Sequence, residues 1–344
     1  MSDDEQPPTN RYEPRPELER FQLGWICALP LEMTAAMAML DVDYGPLHER
    51  EAGDNNVYWL GKIHHHHVVI ATLPKKKYGT VSAALTARDM MRTFGKSLRF
   101  GLLVGIAGGI PRLPDQDIRL GDVVVSTPTG DSPGVYQYDL VKAEATQDAT
   151  NFKKTGSLRP PSDDMLSVLT FFDSVDEAGR SKVPFYLRKG LNYTKKVKRT
   201  FAKPPTETDK LFNAANMHPR GARTCKDCPP EWEVERDPRD DDNPVVHYGI
   251  IGSGNAVIKD ARVRESYADR LEGMLCFEME AAGLMDHFPC LVFRGICDYA
   301  DSHKNDAWQR YAAMTAAACA KEFLEYLPEE SLASQRLVIE MIRK

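Results

Sequence analysis

The chain of 344 residues is long enough for one large domain or two small ones, and its 42% hydrophobic and 27% charged residues are ordinary for a globular protein. Its formal net charge of −6 at pH 7 argues against a general nucleic-acid binder. No apolar run approaches the roughly 20 residues of a membrane-spanning helix, so no membrane partner is expected. Most of the seven cysteines lie in apolar segments, which favours reduced thiols and a cytoplasmic protein.

The first 140 residues predict a short leader followed by alternating strands and helices. Residues 1–20 are acidic and rich in proline, which is typical of a disordered leader. Hydrophobic periodicity then predicts two helices, one beginning at Pro30 and one at 79–94. The predicted strands of this part are 23–29, 57–63, 66–73, 99–110, 121–128 and 135–140.

The composition changes over residues 141–243. This segment is rich in Lys, Asp, Glu and Pro, with one predicted amphipathic helix at 163–175 and stretches such as RDPRDDDNP that cannot build a core, and we expect a long, partly mobile insertion. The strand and helix pattern resumes at 245 and continues to 327. The sequence therefore predicts one α/β domain at 21–328 with helices on both faces of the sheet, and a C-terminal helix or linker at 329–344.

Three acids lie in or beside segments with the pattern of a buried core. Glu278 and Glu280 occur in CFEMEAA, and Asp298 ends the apolar run FRGICD. Burying an unpaired carboxylate costs several kcal/mol, so each acid needs a partner or a function. Because side chains alternate along a strand, we expect only one of Glu278 and Glu280 to face a given cleft. A fourth acid, Glu32, lies in a first helical turn, where interaction with the helix dipole is a sufficient explanation.

A glycine turn, Gly105-Ile106-Ala107-Gly108-Gly109, follows a predicted buried strand. Glycines there permit a sharp turn or the close approach of a ligand, and plain turn chemistry is an equally good explanation. The pattern is not GxGxxG followed by a helix and a ribose-binding acid, so a dinucleotide site is excluded and no cofactor is expected.

Six motifs, in this order, resemble the nucleoside phosphorylase and nucleosidase superfamily: LGWICALPLE, LLVGIAGGI, LGDVVVS, IGSGNAVI, FEMEAAGL and FRGICDYAD. The superfamily includes purine nucleoside phosphorylases and methylthioadenosine/S-adenosylhomocysteine nucleosidases. Its fungal branch is often the N-terminal module of a larger multidomain protein. The resemblance implies a three-layer α/β/α sandwich around a mixed, partly closed β-sheet, and a homo-oligomer.

The resemblance also implies roles in cleaving a purine N-glycosidic bond. Asp298 matches the acid that protonates N7 of the leaving base, and burial would help it to hold that proton near neutral pH. Glu280 matches the acid that accepts hydrogen bonds from the ribose hydroxyls. Glu32 matches the carboxylate that activates water, and Arg294 matches an arginine near the nucleophile. Further expected substrate contacts are Met279 at the sugar, Val257 and Ile258 at the base edge, Phe277 as a stacking ring, Gly108 and Tyr78.

Departures from the family pattern favour hydrolysis over phosphorolysis. Positions that hold phosphate in hexameric phosphorylases correspond to Leu103 and Ile106, which offer no charged donors. The phosphate loop is replaced by ALPLE, whose acid would repel phosphate but could activate water. A purine nucleoside phosphorylase and a non-catalytic nucleoside-binding module remain the alternatives.

The segment that lines the 5′ end of the nucleoside in the family corresponds here to Pro74-Lys75-Lys76-Lys77-Tyr78-Gly79. Lys75, Lys76 and Lys77 would suit a 5′-phosphate or triphosphate, although a solvated charge run explains each lysine equally well. We therefore expect an adenine-type nucleoside or its 5′-phosphorylated form, including ATP, as the small-molecule partner.

One CxxC motif, Cys225-Lys226-Asp227-Cys228, lies between His218 and His247. Zinc sites usually need four ligands, so an ordinary loop is the simpler interpretation and no metal is predicted. The run His64–His67 alternates between the faces of a predicted strand, which indicates surface histidines rather than a metal site.

Overall fold

The computed structural model describes residues 13–145, 150–154, 157–221, 224–270, 273–288 and 290–342. The prediction of a disordered leader therefore lies mostly outside the described residues. Its last part, residues 13–20, ends in a short 3-10 turn at Leu18–Arg20, and the first strand follows directly.

Strands and helices alternate along most of the chain. The strands are β1 (Phe21–Cys27), β2 (Val42–Leu47), β3 (Tyr58–Ile63), β4 (His66–Thr72), β5 (Phe100–Gly109), β6 (Val123–Ser126), β7 (Val135–Gln137), β8 (Val141–Ala145), β9 (Thr150–Lys154), β10 (Val246–Ser253), β11 (Met274–Glu278) and β12 (Cys290–Asp298). The helices are α1 (Pro30–Ala38), α2 (Thr80–Phe94), α3 (Asp163–Glu177), α4 (Val183–Leu191), α5 (Lys195–Thr200), α6 (Ala261–Arg270), α7 (Gln309–Tyr326), α8 (Glu329–Ser334) and α9 (Val338–Ile342).

The main sheet is mixed and partly closed, which confirms the predicted fold class. Its strands follow the order β11-β10-β6-β12-β5-β1-β4-β3-β2, with β7 beside β10. Strand β11 also pairs with β5 in antiparallel fashion, through Cys276 opposite Gly109 and Phe277 opposite Gly108. This second pairing closes one half of the sheet into a ring and brings the ends of β5, β11 and β12 together.

Residues 141–243 differ from the prediction, because three helices rather than one lie in this segment and all three contribute to the main hydrophobic core. Met165 and Phe172 of α3, Leu187 of α4 and Val197 of α5 are buried there. Clusters of lysine and arginine on the outer faces of α4 and α5 obscured their apolar stripes in the sequence. The prediction of a single helix in this segment was wrong.

The C-terminal segment packs on the domain as two short helices. Leu332 and Val338 are buried, and the Val338 N–H donates to the carbonyl of Leu98 at 2.9 Å. The histidine run is not wholly on the surface, because His66 is buried and its Nε2 lies 3.0 Å from the carbonyl oxygen of Leu327. Within the described residues no helix is both long and apolar enough to cross a bilayer.

Candidate active site

A cavity of about 340 Å³ opens where β5, β11 and β12 end, beside the first turn of α1. This volume is at the small end of the range of about 300–1,000 Å³ for ligand pockets. Every site residue predicted from the sequence lines this cavity except Lys75, Lys76 and Lys77.

Arg294 organises one end of the cavity. Its side chain is 1% exposed, and Nη2 donates to Oε2 of Glu278 and to Oε2 of Glu280, the latter at 3.3 Å. Burial opposes the positive charge, but the neighbouring carboxylates outweigh it, so the pKa of Arg294 is raised above its ordinary value. We call the group Arg294, Glu32, Glu278 and Glu280 the arginine end.

Glu278 and Glu280 both face Arg294, contrary to the expectation from strand alternation. Strand β11 ends at Glu278, so the alternating pattern does not extend to Glu280. Glu278 is held further by the backbone N–H groups of Glu280 and Ala281, both about 3.0 Å away. It is thus the structural partner of Arg294, whereas Glu280 is held less tightly, accepting the Gly79 N–H at 3.4 Å.

The arginine end holds more carboxylates than its single cation can balance. Burial raises the pKa of Glu280 to about 7; Arg294 opposes this shift, while the negative charges of Glu278 and Glu32 add to it. A carboxyl with this pKa changes its charge within the physiological pH range, in the position predicted to contact the sugar.

Glu32 belongs both to helix α1 and to the cavity. One oxygen accepts the backbone N–H groups of Ala28 at 2.7 Å and Leu29 at 2.9 Å, which caps the helix, and the other accepts the Ile106 N–H at 2.9 Å. Burial raises the pKa of Glu32 in spite of Arg294 and these three donors. A Cβ at Gly105 would lie 2.6 Å from Oε1 of Glu32, so this glycine permits the close approach of the carboxylate to the strand.

Asp298 and Lys304 form the other end of the cavity, which we call the lysine end. Asp298 is buried, with Oδ1 accepting the Ala300 N–H at 2.9 Å and Oδ2 lying 2.8 Å from Nζ of Lys304. Burial lowers the pKa of Lys304, but the adjacent Asp298 carboxylate outweighs burial and the net pKa is raised. A Cβ at Gly108 would lie 2.8 Å from Oδ1 of Asp298, so the glycine turn gives this acid its space.

Apolar residues line the wall between the two ends. Phe277 packs its ring edge-to-face against Tyr138, with centroids 5.3 Å apart, so its position is fixed by an aromatic cluster. Met279 and Ile258 also line the cavity, while Val257 and Tyr78 are exposed at its rim. The wall therefore offers one buried ring and aliphatic surface to a planar ligand.

Lys75, Lys76 and Lys77 lie outside the cavity. They occupy an exposed turn closed by the Lys77 N–H donating to the carbonyl of Pro74 at 2.9 Å, and none of them forms an ion pair with a described residue. The turn is next to Tyr78, so the lysines are near the rim and could meet only a ligand group that leaves the cavity.

Sequence reasoning missed Lys304, Lys259 and Gln309, which also line the cavity. Lys304 lies in a polar loop of no regular period, six residues after Asp298, and no sequence pattern distinguishes it from other surface lysines. The sequence left open whether Glu278 has a partner or a function, and the structure pairs it with Arg294.

The buried part of the lining is more acidic than basic. Four carboxylates, those of Glu32, Glu278, Glu280 and Asp298, face the cations of Arg294 and Lys304, and each cation already pairs with a carboxylate. An anionic ligand in this part of the cavity would lack a free cationic partner.

One protein is similar in sequence to most of this chain, and another is similar to a small part of it. A nucleotide-binding leucine-rich repeat (NLR)-like protein of Hyaloscypha variabilis is 44% identical over 327 residues, which are 94% of this chain and 31% of that protein. The ATP nucleosidase Cap17 of Escherichia coli is 32% identical over 87 residues, 24% of this chain and 17% of that protein. The chain thus spans less than a third of the length of either relative.

Solved structures with low sequence identity share the fold. The 5′-methylthioadenosine/S-adenosylhomocysteine nucleosidase of Neisseria meningitidis, in complex with methylthio-immucillin-A, is 15% identical with a TM-score of 0.54, over 89% of this chain and 99% of that one. A sequence model of the phosphorylase superfamily matches residues 22–342, nearly the whole chain, and the chain belongs to that superfamily.

Proposed function

We propose that this chain hydrolyses the N-glycosidic bond of an adenine-type nucleoside or of its 5′-phosphorylated form, including ATP. One observation carries the proposal: Glu32, Glu280 and Arg294 meet in one cavity with Asp298 at its opposite end, and the apolar wall lies between them. Purine release needs an acid near the base, a polar clamp at the sugar and a nucleophile at C1′, which this arrangement supplies.

The proposed reaction breaks the bond between C1′ and N9 and forms a bond between C1′ and the oxygen of water. Asp298 takes up a proton from solvent as the nucleoside binds and gives it to N7, so that the base leaves neutral, and Glu32 takes a proton from the attacking water. Lys304, 2.8 Å from Asp298, stabilises the carboxylate that Asp298 becomes after the transfer. Glu280 accepts hydrogen bonds from the ribose hydroxyls and favours the positive charge that develops on the sugar.

Water is a better nucleophile for this cavity than phosphate. A phosphate dianion needs charge-assisted donors, and the nearest guanidinium, that of Arg294, already faces Glu278 and Glu280. Ile106 contributes an aliphatic side chain at this point, and its N–H is bonded to Glu32. Binding phosphate there would place it among carboxylates of the same charge.

The exposed turn of Lys75, Lys76 and Lys77, which we call the lysine turn, is the basis for including 5′-phosphorylated substrates. Tyr78 lines the rim, and the three lysines before it are exposed and unpaired with described residues. A triphosphate that extends past Tyr78 into solvent would meet them, whereas an unphosphorylated nucleoside would not. The partial match to a protein named as an ATP nucleosidase supports the same substrate class.

A substrate panel tests the reaction. The protein is incubated with adenosine, inosine, methylthioadenosine, AMP and ATP, with and without inorganic phosphate, and the base and sugar products are separated by chromatography. We expect free base and a sugar with a hydroxyl at C1′, independent of phosphate. Phosphate-dependent release of ribose 1-phosphate would support a phosphorylase instead, and binding without release would support a non-catalytic module.

Replacing Lys75, Lys76 and Lys77 together with alanine tests the 5′ group. We expect kcat/KM for ATP to fall about tenfold or more, since each charge-assisted hydrogen bond contributes about 1.5–3 kcal/mol at most, while kcat/KM for adenosine is unchanged. Exposed Lys96, Lys196 and Lys198 provide a control triple variant with the same change of charge. Equal effects of both triple variants on ATP cleavage would exclude the lysine turn as the triphosphate contact.

A further inference from the structure

The CxxC motif forms a compact turn with both thiols free. Cys225–Asp227 is a 3-10 turn, and the Cys228 N–H donates to the carbonyl of Cys225 at 3.2 Å. Both cysteines are half-buried and neither is in a disulfide. A turn of this kind places the two sulfur atoms on the same side of the chain, as sites with two thiolate ligands require.

His218 completes a cluster with the two cysteines, whereas His247 does not. The ligand atoms of His218, Cys225 and Cys228 all lie within 4.8 Å of one another. His247 is elsewhere, with Nε2 2.9 Å from Oδ2 of Asp122. The sequence spacing left these two histidines equivalent, and the fold selects the one upstream of the motif.

A second histidine, His303, lies against this cluster from the loop after β12. Its ring is 5.3 Å from the His218 ring, and the Cys225 thiol is 3.9 Å from its carbonyl oxygen. Its Nε2 is buried and has no hydrogen-bond partner among the described residues. An unpaired buried ring nitrogen is unfavourable, and a bound metal ion would give it a partner.

The surroundings of His303 resemble those of a metal-binding imidazole. The ring stacks on Phe212 with centroids 4.0 Å apart, which restricts its orientation. Nδ1 lies 3.9 Å from Oδ2 of buried Asp301, so a small movement would let a carboxylate hold the ring from its far side while Nε2 binds a metal.

We propose that Cys225, Cys228, His218 and His303 bind one structural zinc ion. Two thiolates and two imidazoles form a ligand set suited to tetrahedral zinc, with Zn–S near 2.3 Å and Zn–N near 2.0–2.1 Å. The ligand atoms of such a site are about 3.3–3.8 Å apart, so closing the group of His218, Cys225 and Cys228 requires side-chain movements on the order of 1 Å, and the His303 ring must also turn toward them. The two thiols release their protons to solvent as the ion binds.

The site would join His218 and the Cys225–Cys228 turn to the loop that carries Lys304. This loop already bonds to His218, whose N–H donates to Oγ of Ser302 at 2.9 Å. Lys304 follows His303 directly, so the zinc ion would fix the backbone beside the Lys304–Asp298 pair. The site is independent of the proposed hydrolysis and does not depend on its outcome.

Metal analysis of the full chain tests the proposal. The protein is purified under reducing conditions without a polyhistidine tag or chelator, and zinc is measured by inductively coupled plasma mass spectrometry. We expect about one zinc per chain, a loss of at least tenfold in the double variant Cys225→Ser/Cys228→Ser, and no loss in His65→Asn, an exposed histidine of the 64–67 run. Zinc-free protein with two reactive thiols, or with a Cys225–Cys228 disulfide, would overturn the site.

Cobalt substitution keeps the test decisive if the cysteine variant does not fold. Co²⁺ exchanged into the native protein should show thiolate charge-transfer absorption and the intense visible bands of tetrahedral coordination. His303→Gln should change the visible bands and speed metal release to a chelator about tenfold. An unchanged spectrum in His303→Gln would remove His303 from the site, and octahedral cobalt without charge transfer in the native protein would contradict thiolate ligation.

Discussion

The two ends of the cavity balance charge in opposite ways. At the arginine end, three carboxylates surround the single guanidinium of Arg294, and burial, with a contribution from the two neighbouring carboxylates, raises the pKa of Glu280 to about 7. At the lysine end, Asp298 has one cation to itself, Lys304 at 2.8 Å. In the proposed reaction, the first arrangement leaves negative charge to stabilise a cation-like sugar, and the second stabilises the carboxylate that forms when Asp298 gives up a proton.

The reaction that we propose would use electrostatic stabilisation at one end of the cavity and proton transfer at the other. In the proposed reaction positive charge develops on the sugar, while negative charge would develop on the base unless a proton arrives. Removing a group from the lysine end should therefore affect the leaving base most. Removing a carboxylate from the arginine end should change how the free energy of unfolding depends on pH.

The largest effect is expected from Asp298→Asn. An amide has the shape of the carboxyl but cannot protonate N7, so kcat should fall about 10²- to 10⁴-fold, the usual range for a general acid. Base release is measured by chromatography, and urea unfolding shows whether the fold is retained. Asp306→Asn, an exposed position in the same loop, is the control. Release at the native rate from Asp298→Asn would show that the proton comes from another group.

A smaller effect, measured as the free energy of unfolding, is expected from Glu280→Gln. Because burial raises the pKa of Glu280 from its ordinary 4.5 to about 7, its contribution to stability is fully present below pH 4.5 and is lost as the pH rises through 7. The glutamine variant lacks this loss, so its free energy of unfolding relative to the native protein should increase by up to about 3 kcal/mol between pH 5 and pH 8.

Urea unfolding at pH 5, 6.5 and 8 measures that difference. Glu207→Gln, an exposed glutamate, is the control and should show the same pH dependence as the native protein. If the stability of Glu280→Gln has the same pH dependence as that of the native protein, the pKa of Glu280 is not raised in the folded protein.

The smallest effect is expected from Lys304→Met, because it removes a partner of the acid and not the acid itself. Loss of one charged hydrogen bond should lower kcat about tenfold, leave KM nearly unchanged and shift the pH profile of kcat, which a purely structural role would not do. Lys304→Arg keeps the charge and should recover part of the rate. Equal rates for native, methionine and arginine variants would mean that Asp298 acts without Lys304.

The elements that build the cavity were predictable, because β5, β11 and β12 are continuous apolar runs with strong strand patterns. The pairing of β11 with β5 was not, since it joins segments more than 160 residues apart and leaves no local signal. Glu278 was misjudged in direction: it faces Arg294 together with Glu280 because the strand ends at Glu278, so the assumed alternation does not extend to Glu280.

The partners of the acids were the least predictable part. Arg294 was identified only as lying near the nucleophile, and its pairing with Glu278 depends on β11 and β12 both lying beside β5. Lys304 and His303 lie in a loop whose sequence gives no period, and their contacts with Asp298 and His218 follow from the fold alone. Charged residues that pair between different strands are far apart in the sequence, so local sequence patterns do not reveal the pairing.

The closed ring of strands has a mechanical consequence. Phe277 pairs with Gly108, which lies against Asp298, and the residue after Phe277 is Glu278, which holds Arg294. Paired strands thus connect the two ends of the cavity directly through backbone hydrogen bonds. Paired strands resist sliding past one another, so the distance between the two ends should change little when a ligand binds. The catalytic groups should therefore need little reorganisation energy to reach their working positions.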